Sequence, residues 1–225
     1  MKILIVAATR PEIKPLEEHL LHIDEQNQLR RHAIELMITG PGSVFTAFHL
    51  GKMLPLDNWD LAINLGICGS FNKQFSIGTT VNVIADTFGD FGAEDGEAML
   101  DAFELDLVDA DTFPFSQRWI VNPVKSVYPL IQSLPQAKGL TMNTVSGKKE
   151  TIARLASKFQ ADVESMEGAA FMYCCMNQSI PYLQLRTVSN YVQKRDKSTW
   201  DIPLAIKNLN ITAISLLEEV FLNTE

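Results

Sequence analysis

The sequence predicts an α/β fold whose strands are covered by helices on both faces. Short, nearly continuous apolar runs alternate along the chain with segments of helical period. The runs hold few polar positions, as strands buried on both sides require. The chain has 225 residues, 46% of them hydrophobic and 20% charged, enough to bury roughly 70% of the surface its unfolded form exposes. No Pro- or Ser-rich linker divides it, so a single domain over 1–225 is expected.

The first run, residues 2–8, superficially resembles a secretion signal, but it is short and is followed at once by Arg10, Pro11 and Glu12, which suits a buried strand better. A helix is expected after Thr9, with Pro11 in its first turn and Glu12 inside it, running toward Leu21. Residues 33–38 form a strand, and a helix capped by Ser43 continues through Phe45, Phe48 and Leu54. After strands at 61–64 and 80–85 the pattern weakens. Acidic and aromatic residues mix around Gly89, Gly92, Gly96 and Pro114, so 88–123 is expected to be a long irregular insertion of functional-loop type. Strands at 140–144, 161–164 and 183–188 enclose a helix over 149–158 and a second that opens at Ser165 and carries Met166 and Glu167. The last helix starts near Pro203. Its stripe of Leu209, Ala213, Leu216, Leu217 and Val220 is expected to pack on the sheet edge.

Charge and composition exclude several classes. The 19 Lys and Arg are scattered and outnumbered by 27 Asp and Glu, so no basic face awaits a phosphate backbone. No stretch reaches the ~20 apolar residues of a membrane helix. The expected partner is a small molecule, with no nucleic acid and no membrane. Three cysteines cannot all pair, and the adjacent Cys174 and Cys175 would need a strained bridge, which points to a reducing, cytoplasmic setting.

Several familiar chemistries fail on spacing. Gly66-Ile67-Cys68-Gly69-Ser70 follows a strand and brings backbone amides to a sheet end where ligands bind. A cysteine nucleophile there would need a second Gly at Ser70 and a late His, whereas all four histidines lie within the first fifty residues, so Cys68 reads as packing. The acidic 90–97 loop, with Asp90, Glu94, Asp95 and Glu97, lacks calcium-loop spacing, the Gly-Lys pairs lack a P-loop, and no Cys/His set suits zinc; no metal or cofactor is expected. Glu167 in the first turn of its helix is either a ligand-facing acid or a helix-dipole carboxylate. Asn190, where the chain leaves the last strand, either lines a ligand site or makes a turn.

Taken in order, Glu12 beyond the first strand, Thr39-Gly40-Pro41-Gly42, Asn64-Leu65-Gly66-Ile67-Cys68-Gly69, Val145-Ser146-Gly147, Val163-Glu164-Ser165-Met166-Glu167-Gly168-Ala169-Ala170 and Arg186-Thr187-Val188-Ser189-Asn190 resemble the purine nucleoside phosphorylase and nucleosidase superfamily. Within it, the segments 88–96, 143–147 and 189–196 resemble the futalosine hydrolases of menaquinone biosynthesis. The resemblance implies a three-layer α/β/α sandwich with a central mixed β-sheet and cleavage of an N-ribosidic bond through a transition state with oxocarbenium character. It also implies a homo-oligomer.

By that resemblance Glu12 matches the acid that orients and deprotonates water, and Arg186 a residue that helps hold this water or the acid. Glu167 matches the carboxylate that grips the ribose hydroxyls, with Met166 under the sugar. Gly66, Ile67, Ser189 and Tyr191 fall in the matched segments as substrate-binding positions. Asn190 stands where relatives acting on adenine nucleosides carry Asp. Its NH2 can donate to O6 of a 6-oxopurine while its carbonyl accepts from N7–H, so hypoxanthine is the expected leaving base. The benzoate of futalosine calls for a cation and aromatics beyond the sugar, and Arg195, Lys194, Phe113, Phe115 and Tyr191 are candidates by composition and position. Glu150 stands near the position of a stacking Phe in adenine-specific relatives, and Ile67 where they place a Ser near the water. The closest rival is a phosphorylase, whose phosphate Glu12 would repel. A non-catalytic binding domain would need no carboxylate at either the water or the ribose position.

Overall fold

The computed structural model describes residues 1–25, 32–96, 98–123 and 126–222. In chain order the elements are β1 (Lys2–Ala7), α1 (Arg10–Glu25), β2 (Ala33–Ile38), α2 (Ser43–Met53), β3 (Leu61–Ser70), β4 (Thr80–Phe88), β5 (Gly92–Asp95), β6 (Ala98–Asp101), β7 (Phe115–Ser116), β8 (Trp119–Val121), α3 (Pro129–Ser133), β9 (Gln136–Thr141), α4 (Lys149–Phe159), β10 (Val163–Ser165), α5 (Gly168–Asn177), β11 (Tyr182–Tyr191) and α6 (Ile202–Leu222).

Strand alternation sorts the apolar residues into two cores. Ile3, Ile5 and Ala7 of β1 join Leu61, Ile63 and Leu65 of β3 and Leu183 and Leu185 of β11 against helices α1 and α6. Leu4 and Val6 turn the other way, toward Leu50 of α2 and Ala169, Phe171, Met172 and Cys175 of α5. Helices therefore cover both faces of a mixed sheet, as expected. A smaller cluster seats Leu155 and Phe159 of α4 on Leu140 and Met142.

The sheet also closes on itself. Strand β3 pairs in parallel with β11, which runs antiparallel to β4; β4 continues in parallel to β9 and β9 to β10. Two residues of β10, Val163 and Glu164, then return antiparallel to Ser70 and Gly69 at the end of β3. This ring of five strands gathers the ends of β3, β10 and β11 around one opening, with β1 and β2 extending the sheet from β3.

Several expectations need correction. The strand expected over 61–64 runs on to Ser70, so Gly66 and Gly69 lie within β3 and not in a loop after it. Strand β11 likewise continues to Tyr191, with a register shift between Val188 and Asn190, so Asn190 is a strand residue beside a bulge. Helix α5 begins at Gly168, and Glu167 is its N-cap and not a first-turn residue. Gly42, at φ +99°, caps α2 in place of Ser43, whose hydroxyl donates to the Met166 carbonyl at 3.2 Å. Helix α6 packs across β11, β3 and α1, on the sheet face and not its edge, because its stripe matches the central apolar residues. The 88–123 insertion holds the β5–β6 hairpin, and β8 joins the main sheet beside β4; strands of two to four residues are too short for periodicity to register.

Candidate active site

A cavity of about 340 Å³ opens where β3, β10 and β11 end beside the starts of α1 and α6. Seven of the residues singled out from sequence line it: Glu12, Ile67, Met166, Glu167, Ser189, Asn190 and Arg195. A mostly apolar hollow with a few convergent polar groups is the form of small-molecule sites.

Glu12 is the third residue of α1 and reaches back to the helix start. Its Oε2 accepts from Thr9 N and Thr9 Oγ1, both at 2.8 Å, in the manner of a capping box. Its Oε1 faces β3 and accepts from Ile67 N at 3.3 Å. The turn that carries it is itself held. Pro15 inside α1 disrupts the helix ladder, and the Asn210 carboxamide enters the gap between Glu12 and Leu16. Its Nδ2 donates to the Glu12 carbonyl at 2.8 Å and its Oδ1 accepts from Leu16 N at 3.0 Å.

Arg186 and Gly66 lie behind the lining. The guanidinium is 1% exposed; its Nη2 donates to Asn64 Oδ1 and stands 3.7 Å from Glu167 Oε2. Its Nε and Nη1 are buried and have no hydrogen-bond partner among the described residues. Gly66 makes room for it: a methyl there would lie 2.7 Å from Arg186 Nη1 and 3.3 Å from Glu12 Oε1. Glycine thus lets a carboxylate from α1 and a guanidinium from β11 approach one point of β3.

Glu167 accepts from Gly42 N at 3.0 Å through Oε1. Burial pushes its carboxyl above the usual range, against the pull of Arg186 and the Gly42 bond. Asn190 has a fixed orientation. Its Nδ2 donates to the Tyr191 carbonyl at 3.0 Å, and its Oδ1 accepts from Ser189 Oγ at 2.8 Å. A carbonyl can only accept, so the NH2 must face Tyr191. One N–H and one lone pair remain for a ligand.

Not every expected contact is present. Tyr191 gives its carbonyl to Asn190, but neither it nor Lys194, Phe113 or Phe115 lines the cavity; Phe115 instead packs against Phe88, Phe103 and Tyr173. Glu150 is exposed on α4, away from the lining. Glu94 and Asp95 are exposed on the β5–β6 hairpin, and Glu97 lies outside the described residues. Burial pushes the Cys68 thiol up to about 12, so it stays protonated and packs. Among the described residues no group of three or more His, Cys, Asp or Glu is placed to hold a metal ion.

The cavity also recruits residues to which the sequence assigned no role. Trp200 lines it with its ring 5.7 Å from the Arg195 guanidinium carbon, and Val192, Ile202 and Ile206 extend the apolar wall. Glu164 and Ser146 close the side opposite Asn190. Both stood in matched segments, but only the nonlocal pairing of β10 with β3 turns Glu164 inward.

The model of the phosphorylase superfamily matches residues 2–221. A futalosine hydrolase of Thermus thermophilus is 29% identical over 217 residues, covering 96% of this chain and 95% of the relative. A 5'-methylthioadenosine/S-adenosylhomocysteine nucleosidase of Colwellia psychrerythraea is 23% identical over 237 residues, covering 96% of this chain and 94% of that one. The native structure of futalosine hydrolase of Helicobacter pylori strain 26695 matches with a TM-score of 0.78 at 19% identity, over 97% of this chain and 98% of that one. This last likeness is one of fold.

Proposed function

The chain belongs to the phosphorylase superfamily, and from that premise and the cavity we propose that it hydrolyses the N-ribosidic bond of futalosine. The products are hypoxanthine and dehypoxanthine futalosine, in menaquinone biosynthesis. The observation that carries the reading is the convergence of Glu12, Glu167 and Asn190 on one cavity, at the nucleophile, sugar and base respectively.

Cleavage develops positive charge on the ribose and negative charge on the departing purine, and catalysis requires groups that stabilise both. Water beside Glu12 Oε1 gives up a proton to this carboxylate as it attacks the anomeric carbon. The unpaired Arg186 Nη1, set beside the same glycine, supports that water or the acid. Glu167 takes hydrogen bonds from the ribose hydroxyls and lies near the developing positive charge, with Met166 beneath the sugar. At the base, the free N–H of Asn190 donates to O6 and its free lone pair accepts from N7–H as hypoxanthine leaves. Asn has no acidic proton to give, so the N7 proton comes through water.

Phosphorolysis is disfavoured because phosphate at the nucleophile position would meet the Glu12 carboxylate. The full-length likeness to the Colwellia nucleosidase makes 5'-methylthioadenosine/S-adenosylhomocysteine hydrolysis the second reading, and Asn190 argues against its 6-aminopurine. Arg195 beside Trp200 supports a carboxylate and a ring on the 5' side of the substrate. We also propose a homo-oligomer that covers the exposed Val44, Phe45 and Phe48 of α2, next to the Gly42 contact with Glu167. Free Cys68, Cys174 and Cys175 suit a cytoplasmic enzyme.

Glu12→Gln tests the mechanism, because it keeps an acceptor for Thr9 while removing the base. Futalosine cleavage should fall by about 10²- to 10⁴-fold, the usual worth of a general base, with hypoxanthine binding retained by calorimetry. Cleavage at the wild-type rate would contradict the role of Glu12.

A further inference from the structure

An α-helix leaves its first N–H groups without partners, and the side chain of its N-cap residue ordinarily accepts from the second or third of them. In α5 the N-cap residue is Glu167, and its side chain makes no such bond among the described residues. The carboxylate turns away from its own helix, to Gly42 N at 3.0 Å and toward Arg186 Nη2 at 3.7 Å. The capping bond comes instead from the sheet. Thr141, the last residue of β9, is fully buried, and its Oγ1 accepts from the N–H of Ala169, the second residue of α5, at 2.7 Å.

A hydroxyl can give its hydrogen or accept one, and Asp86 decides which way this one faces. From the neighbouring strand β4, Asp86 Oδ1 accepts from Thr141 Oγ1 at 2.8 Å, while its Oδ2 accepts from Gln184 Nε2 of β11 at 2.9 Å. With its hydrogen given to Asp86, Thr141 Oγ1 has only lone pairs to offer the helix. The first turn of α5 rests directly on this arrangement: a methyl at Gly168 would fall on Asp86 Oδ2 and Gln184 Nε2. Burying a carboxyl group costs free energy, and a helix that needed a cap alone would be served more simply by Ser or Asp at its own N-cap position.

We propose that Thr141, oriented by Asp86, caps α5 in place of Glu167 and so keeps the Glu167 carboxylate free to grip the ribose. Thr141 and Asp86 stand behind the cavity lining, so both are positioning residues. The inference rests on the proposed function, which sets the ribose against Glu167. Without the Thr141 hydroxyl the N–H of Ala169 needs another acceptor, and the N-cap side chain is the group best placed to supply one. Drawn back to its own helix, the Glu167 carboxylate would release Gly42 and the sugar together.

The test compares kcat/KM for futalosine and its 2'-deoxy analogue in wild type, in Thr141→Val, which removes the hydroxyl at nearly constant volume, and in Thr141→Ser, which keeps it. The ratio between the two substrates separates the grip on the 2'-hydroxyl from a general loss of activity. In Thr141→Val the preference for futalosine should fall by at least about fivefold, the lower end of what one lost buried hydrogen bond is worth, and in Thr141→Ser it should stay within about twofold of wild type. Should Val crowd Asp86 and fold poorly, as read by urea denaturation, Thr141→Ala replaces it with the same expected fall. A ratio unchanged in the folded variant, or a Thr141→Ser enzyme as impaired as Thr141→Val, would overturn the assignment and leave the proposed function standing. A wild type inert toward futalosine would remove both.

Discussion

Replacing Asn190 by Asp changes one atom and reverses the hydrogen-bond logic at the base. In the native site Nδ2 donates to the Tyr191 carbonyl at 3.0 Å while Oδ1 accepts from Ser189 Oγ at 2.8 Å. An ionised Asp would set oxygen against oxygen at Tyr191 and again at purine O6. Each unpaired buried acceptor costs about 1–3 kcal/mol, so discrimination should move by roughly 5- to 150-fold. A protonated Asp avoids the clash at Tyr191, and its second oxygen then suits an exocyclic amine. Initial rates with futalosine and its 6-amino analogue, read as free base by chromatography, should show the 6-oxo preference reduced by at least about fivefold. An unchanged ratio, with both rates measurable, would refute the placement of the base against Asn190.

Other perturbations probe the supports of the site. Gly66→Ala puts a methyl 2.7 Å from Arg186 Nη1, and the buried guanidinium cannot shift without weakening its contacts to Asn64 and Glu167; kcat should fall by about tenfold or more, the effect of losing one charged hydrogen bond, and urea denaturation should show a stability loss of about 1–3 kcal/mol from the overpacking. Asn210→Ala leaves the Glu12 carbonyl and Leu16 N–H without their partner; stability should drop by about 2–6 kcal/mol, two unsatisfied buried groups, as read by urea denaturation. Asp86 is fully buried, with Gln184 Nε2 donating to it at 2.9 Å and Thr141 Oγ1 at 2.8 Å, and burial raises its carboxyl from 3.8 to about 6. The folded state therefore holds its proton more tightly, so its stability contribution is present below pH 4 and is lost as pH rises through about 6. Asp86→Asn should remove that component, of which about 2 kcal/mol falls between pH 4.5 and 7.5, when urea denaturation at those two pH values is compared with wild type.

The parts of the fold legible in sequence are those written in local periodicity. The first strand and helices α1 and α4 fall where apolar spacing and Thr9, Pro11 and Lys149 place them. Glycine misled the reading of β3, because Gly66 and Gly69 look like a loop until Arg186 and Asn190 are seen to occupy their missing side chains. Nor does a two-residue pairing such as that of Val163 and Glu164 with β3 leave a periodic trace, although it closes the ring and turns Glu164 into the cavity. Glu12, Glu167 and Asn190 were found through the order of several short segments. Trp200 and Asn210 were not, since each reaches the site from the other side of a turn or helix and carries no local signal.

The central claim is hydrolysis at a 6-oxopurine riboside, and one incubation tests it directly. The protein is mixed with futalosine, its 6-amino analogue, inosine and methylthioadenosine, each with and without phosphate, and released base is quantified. The proposed placements of Glu12 at the nucleophile and Asn190 at the base require hypoxanthine to appear fastest from futalosine, at a rate independent of phosphate. Release that depends on phosphate, or adenine released in preference to hypoxanthine, would contradict them.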